Sequence, residues 1–213
     1  MPCLHKFHNE LALTGLNYEP TTLIVGTFNP TWPGGNYAEW FYGRTANNCF
    51  WDVLPRIYEG DNASLVNAGP NDWKNFCRRN RIAITDLIYS INDANEGNPE
   101  HIRGLGNYSD SFITENFQEF TFVEVVDILA QNPTIQHIYL TRSAVGFWAQ
   151  RWQPVMNYAA LNGKTTQTLL TPSKNARFQH GRWNRAHPNH PIQNLADYIL
   201  MRWQEVWHQL NNH

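Results

Sequence analysis

Apolar residues along this chain follow two periodicities. Four short runs rich in β-branched or aliphatic residues, Thr22–Gly26, Ile82–Leu87, Ile135–Leu140 and Thr168–Thr171, are separated by roughly 30–60 residues. The first and third are nearly continuous, as strands buried on both faces are. Elsewhere the period is helical. Phe50, Val53, Leu54 and Ile57 stand at i, i+3, i+4 and i+7, and so do Phe122, Val125, Val126 and Leu129. Near the C-terminus Ile192, Leu195, Ile199, Trp203, Val206 and Leu210 form one stripe, with Pro191 suited to the first turn. Each gap between strands has room for a crossover helix, so the sheet is predicted to be mainly parallel. The Asn- and Gly-rich stretches 60–72 and 92–107 read as loops.

A length of 213 residues suits a single domain over 1–213. Charged residues make up only 16% of the chain, below the average of about 25%, whereas aromatics reach 14% with nine Trp. Such a surface favours stacking and neutral hydrogen bonds over ion pairing. The net charge of −2 gives no global basic footprint for nucleic acid. Locally the picture changes. Lys174, Arg177, Arg182 and Arg185, with His180, His187 and His190, occupy 174–190 without one acidic residue. That segment is either a solvated loop or a grip for phosphates.

Several classes drop out. The three cysteines, Cys3, Cys49 and Cys77, form no disulfide framework and are too few to ligate an iron–sulfur cluster. HExxH, H-x-E…PCxxC, GxxxxGK[ST], GxGxxG and Gly-x-Ser-x-Gly are all absent, which argues against the common zinc, phosphate-loop, dinucleotide and serine-hydrolase chemistries. With no signal peptide pattern and no apolar run near the ~20 residues of a membrane span, a cytoplasmic protein is expected.

The candidate chemistry begins where the run Leu23-Ile24-Val25 stops at Gly26 and opens into Thr27-Phe28-Asn29-Pro30. A buried strand ending in a stiff polar loop presents side chains at the carboxyl edge of a sheet, where open α/β folds bind ligands. Asn29, before Pro, either closes a turn on its own backbone or faces a ligand. Asn48, just ahead of the Phe50 helix, either caps it or reaches into the same site. Tyr37, Trp40, Phe41 and Tyr42 cover the core or supply a flat face for a base. After the last apolar run, Pro172-Ser173-Lys174-Asn175-Ala176-Arg177-Phe178 turns and then becomes cationic. Phe178 there either packs inward or acts as an apolar wedge between bases.

Three of these segments together resemble the uracil-DNA glycosylase superfamily, nearest its mismatch-specific and hypoxanthine-type branches. They are LIVGTFNP at 23–30, YGRTANNCFWDVL at 42–54, and LLTPSKNAR at 169–177. The middle segment is the most specific, through its Asn-x-Phe-Trp run preceded by an aromatic residue. The resemblance implies a three-layer sandwich, a central four-stranded, mainly parallel sheet flanked by helices. It implies a base-excision enzyme that flips a deaminated or mismatched base, such as uracil or hypoxanthine, and hydrolyses its N-glycosidic bond. No cofactor and no metal are implied; the partner is DNA carrying such a base, with no membrane, and the protein acts as a monomer. Carried over by position, Asn48 and Asn29 are the catalytic candidates. Phe28, Tyr42, Phe50 and Ser173 are the base-binding ones, and Lys174, Asn175, Arg177, Phe178 and Arg182 contact DNA. Two departures stand out. The place of the mismatch branch's Asn holds Phe28, and the last motif lacks the His of the classical uracil enzymes, for which His180 or His187 would have to substitute. The rival expectations are a non-catalytic member of the fold that binds nucleic acid or protein, and an enzyme acting on free nucleosides.

Overall fold

The computed structural model describes residues 1–33 and 38–207. Tyr37 and Leu210 lie outside the described residues. In chain order the elements are β1 (Cys3–Leu4), β2 (Thr22–Gly26), α1 (Phe50–Glu59), α2 (Pro70–Arg79), β3 (Ile82–Asp86), β4 (Ile88–Ile91), α3 (Pro99–Gly106) and α4 (Asp110–Asn116). They continue with β5 (Phe120–Phe122), α5 (Val125–Gln131), β6 (His137–Leu140), α6 (Phe147–Leu161), β7 (Thr165–Thr168), α7 (Arg177–Ala186) and α8 (Leu195–Gln204). The central sheet has the order β3-β2-β6-β7, and all three of its pairings are parallel.

Alternation along the inner strands divides the core in two. Leu23 and Val25 of β2, with Ile138 and Leu140 of β6, pack on one face against Ile128 and Leu129 of α5 and Trp148, Trp152 and Val155 of α6. Ile24, Ile84 and Tyr139 point the other way. They meet Phe50, Trp51 and Leu54 of α1, Trp73 and Phe76 of α2, and Ile199 and Trp203 of α8. The result is the expected four-stranded parallel sheet between helical layers. Among the described residues no helix is long and apolar enough to cross a membrane.

Some boundaries differ from the sequence reading. The last strand is Thr165–Thr168, not Thr168–Thr171. It is an exposed polar edge strand with no apolar run to mark it, while Leu169 and Leu170 lie beyond its end and turn toward the α1–α8 core. The presumed loop 92–107 contains α3. Asn98 caps it by accepting from the Glu100 N–H, and Pro99 opens its first turn. Gly104 there lies flat against Phe112, whose ring a Cβ would meet at 2.1 Å. Phe122 belongs to β5 rather than to the helix that follows. Pro191 precedes the first turn of α8, which Asn194 caps. The cationic segment is itself helical, as α7.

A second sheet, antiparallel with order β1-β4-β5, shapes the site. The chain leaves the central sheet at Asp86 and passes through Leu87 directly into β4. There Cys3 pairs with Ile91 and Leu4 with Ser90. That pairing delivers the next residue, His5, beneath the end of β3.

Candidate functional site

A cleft of about 800 Å³ opens at the carboxyl ends of β2, β3, β6 and β7. Its walls are the loops that leave these strands, together with the Arg44–Asn48 turn and the start of α4. Of the residues singled out from sequence, Phe28, Asn29, Tyr42, Asn48, Ser173, Lys174 and Asn175 all border it.

Each is held by identifiable contacts. The Asn48 carbonyl oxygen accepts from the Phe50 N–H at 2.8 Å, so Asn48 caps α1 and its Nδ2 remains for other partners. Asn48 also bridges to Ser173, and the Cys49 N–H donates to the Pro172 carbonyl at 2.7 Å. These contacts tie the helix start to the loop after β7. Ser173 accepts from the Asn175 N–H and the Thr171 hydroxyl, which fixes the turn that presents Lys174. Tyr42 has a left-handed backbone, φ +56°, uncommon for a bulky residue. Its ring stacks on Phe50 at 3.9 Å and its hydroxyl meets the Thr141 hydroxyl at 2.9 Å. Burial, then the nearby Asp86, pushes the Tyr42 phenol well above its ordinary value.

Other residues sit elsewhere than expected. Phe50 is fully buried and does not border the cleft; it backs Tyr42 and is enclosed by Trp51 and Trp203. It therefore braces the Tyr42 ring from behind instead of lining the cleft. Trp40 and Phe41 cover the core. Arg177, Phe178 and Arg182 lie on α7 outside the lining, with Phe178 70% exposed. His180 Nε2 donates to the Ile192 carbonyl and its ring stacks on Tyr198, and His187 stacks on Trp183 at 3.8 Å. Neither imidazole borders the cleft.

Two carboxylates that the sequence reading passed over complete the site. Asp86 forms part of the floor at 2% exposure. Its Oδ2 accepts from His5 Nε2 at 2.7 Å and, over a longer 3.4 Å, from Asn29 Nδ2. Asp110, at the first turn of α4, takes Arg142 at 2.7 Å and the Thr27 hydroxyl at 2.8 Å. Its side chain is 36% exposed, so it stands on the wall nearer the rim. Shielding from water raises the Asp110 carboxyl, with Asp86 adding to the effect, and outweighs the opposing pull of Arg142 and Thr27. Arg142 is lowered by the same loss of water. One signal was available for Asp86, a carboxylate closing the apolar run Ile82–Thr85; nothing local marked His5, Asp110 or Arg142.

The Asp110 shift has a measurable sign. Because its folded value is raised, the folded state holds this proton more tightly than the unfolded chain. The associated stability is present below the unfolded value of about 4 and is lost as pH rises through the folded value. The melting temperature of the native protein minus that of Asp110→Asn is expected to fall as pH climbs from about 4 into the weakly acidic range. A difference that instead grew with pH would mark a carboxylate held ionised.

Comparison with known proteins adds one likeness. No family model matches the chain, and no curated protein matches it. The chain is similar to the solution NMR structure of a "putative Uracil DNA glycosylase" from Methanosarcina acetivorans, with a TM-score of 0.50 and 16% identity. The match covers 82% of this chain and 94% of that one. This likeness is one of fold. It extends over nearly the whole of the neighbour.

Proposed function

We propose that this protein is a DNA base-excision glycosylase that draws a deaminated or mismatched base into the cleft and hydrolyses its N-glycosidic bond. The observation that carries this reading is the convergence, at one sheet edge, of an aromatic ring, fixed amides, the buried Asp86 and the half-buried Asp110 beside a segment bearing only positive charge. A neighbour of the same fold named for uracil in DNA supports it.

The chemistry follows from what each group has left to offer. As the bond from C1′ to the base nitrogen breaks, the electron pair leaves with the base and the sugar becomes oxocarbenium-like. Asn48, its carbonyl committed to the cap, offers N–H toward the charge growing on the base, a preorganised dipole that needs no reorientation. Asn29, its amide nitrogen turned to Asp86, offers a carbonyl to orient the attacking water. Tyr42, braced by Phe50, stacks on the base, with Phe28 and Ser173 at its edges. Lys174 and Asn175 at the rim, and Arg177 and Arg182 on α7, meet phosphates, while exposed Phe178 fills the gap left in the duplex.

The test is release of free base from oligonucleotides carrying uracil, hypoxanthine or xanthine, measured by chromatography. Release from at least one, with the matching normal bases retained, is the expected result. Folded protein that frees no base from any of them would leave a binding module in its place.

A further inference from the structure

We infer that a second cavity, behind the aromatic loop that carries Tyr42, binds a small organic acid with an apolar body, and that its occupancy is transmitted to the cleft. Such a site regulates the cleft from outside, whatever chemistry the cleft performs.

The cavity measures about 540 Å³, within the ~300–1,000 Å³ of ordinary small-molecule sites. Among the described residues none borders both it and the cleft. It lies where the N-terminal segment runs along the outer edge of β3. The Thr85 hydroxyl holds that segment by donating to the Leu11 carbonyl at 2.8 Å, and the Tyr18 hydroxyl by donating to the Ile82 carbonyl at 2.6 Å. Leu13, Phe41 and Ile84 line the cavity and are buried, Leu16 beside them is half-buried, and α2 contributes Lys74, Asn75 and Arg78. Gly15 also borders it, and a Cβ there would meet nothing within 4 Å, so that side is open to an arriving molecule.

The charges around it call for an anion. Of the three cations on α2, Lys74 pairs with Glu10 at 3.1 Å and Arg79 with Glu59 at 2.9 Å. Arg78 borders the cavity and has no acidic partner among the described residues. Lys74 and Arg78 stand at i and i+4, so like charges share one side of the helix, which costs stability until an anion lies between them. Glu10 is already committed, accepting from Lys74 and from Trp40 Nε1 at 2.9 Å. Two cations against one carboxylate leave a single positive charge, which suits a carboxylate better than a doubly charged phosphate. The planar fork of an arginine matches the two oxygens of that group. The buried aliphatic and aromatic side chains beneath take a ring or a branched chain as its body.

Two walls of the cavity continue directly into the cleft. Trp40 and Phe41 border the cavity, and the next residue, Tyr42, borders the cleft. Ile84 borders the cavity, and Asp86, two residues further along β3, borders the cleft. Phe41 also stacks on His5 at 5.6 Å, and His5 Nε2 meets Asp86 at 2.7 Å. Close-packed side chains pass a displacement on instead of absorbing it, so a body seated against Phe41 is felt at Tyr42 and Asp86.

The probe is phenylpropionate, with its uncharged amide as the control ligand. Calorimetry on the full chain is expected to give a dissociation constant of about 1 mM or lower for the acid, and binding of the amide at least about tenfold weaker. Arg78→Gln, at an exposed position, is expected to weaken acid binding at least about tenfold, and Arg78→Lys less, since the charge stays and the fork goes. Arg79→Gln, one residue along but outside the cavity, leaves the affinity unchanged. In nitrogen-labelled protein observed by NMR, the amide signals of Leu16, Asn75 and Arg78 are expected to move with added acid. Those of Tyr42, Asp86 and Thr141 follow with the same midpoint. The site is overturned if the acid fails to bind, if acid and amide bind alike, if Arg78→Gln binds as the native protein does, or if the shifts gather elsewhere. Cleft signals that stay still at saturation overturn the transmission. None of these outcomes uses base release, so a failed titration leaves the glycosylase reading in place, and a protein that frees no base still decides this one.

Discussion

Asn48→Ala is expected to slow base release by about 10²–10³, the usual effect of removing one preorganised donor from a reacting centre. The substitution also removes a helix cap, because Asn48 accepts from the Phe50 N–H, and such caps are worth about 0.5–2 kcal/mol. The two contributions separate cleanly. Asn48→Asp keeps an oxygen for the cap but replaces the free N–H group by a second acceptor. Its thermal stability should return toward the native value while its rate stays as low as that of the alanine variant. Single-turnover rates on a uracil oligonucleotide, read beside melting curves, decide the matter. If Asn48→Asp recovers both, the amide acts through the helix start and not on the base.

Trp51→Ala is expected to produce the largest loss of stability. Trp51 is fully buried at the centre of an indole column, stacked on Trp73 at 5.2 Å and on Trp40 at 5.8 Å. Its Nε1 donates to the Phe41 carbonyl at 2.9 Å, so truncation opens a cavity and orphans a buried acceptor. Truncations of this kind cost about 3–5 kcal/mol, against roughly 5–15 kcal/mol for the whole of a typical fold. For a chain of this size that corresponds to a fall in Tm of roughly 6–20 °C. Calorimetry or urea titration measures it. A shift below a few degrees would mean that Trp40 and Trp73 close over the gap. The column also backs the ring of Phe50, which backs Tyr42, so base release should weaken in Trp51→Ala even at temperatures where the protein remains folded.

The elements most legible in the sequence are those whose burial is complete. Leu23-Ile24-Val25 reads as a central strand because both its faces are covered, and the Phe50–Ile57 stripe reads as α1 because one face is apolar and the other is not. β7 is the opposite case: Thr165–Thr168 is an exposed edge, its place set by hydrogen bonding to β6 rather than by apolar patterning. α3 was hidden by composition, since Asn and Gly suggest a loop even where Asn98 and Pro99 begin a helix. The site divides in the same way. Asn29, Tyr42, Asn48 and Ser173 lie on loops that directly follow or precede recognisable elements, so their position, together with the family resemblance of those segments, brought them forward. His5 and Asp86 are 81 residues apart and meet only because β1 pairs with β4 in a second sheet that no local pattern announces. Arg142 and Asp110, 32 positions apart, likewise meet only in the fold. Phe50 was expected at the base, but an aromatic in the right motif need not line a cleft; here its place is behind Tyr42, which does.

The cleft draws on His5 near the amino end, on Asn48, Asp86, Asp110 and Thr141 along the middle, and on Ser173 and Arg202 toward the other end. No continuous fragment contains all its walls. A nascent or partly degraded chain therefore carries pieces of the cleft but never an assembled one, and its walls come together only with the finished fold.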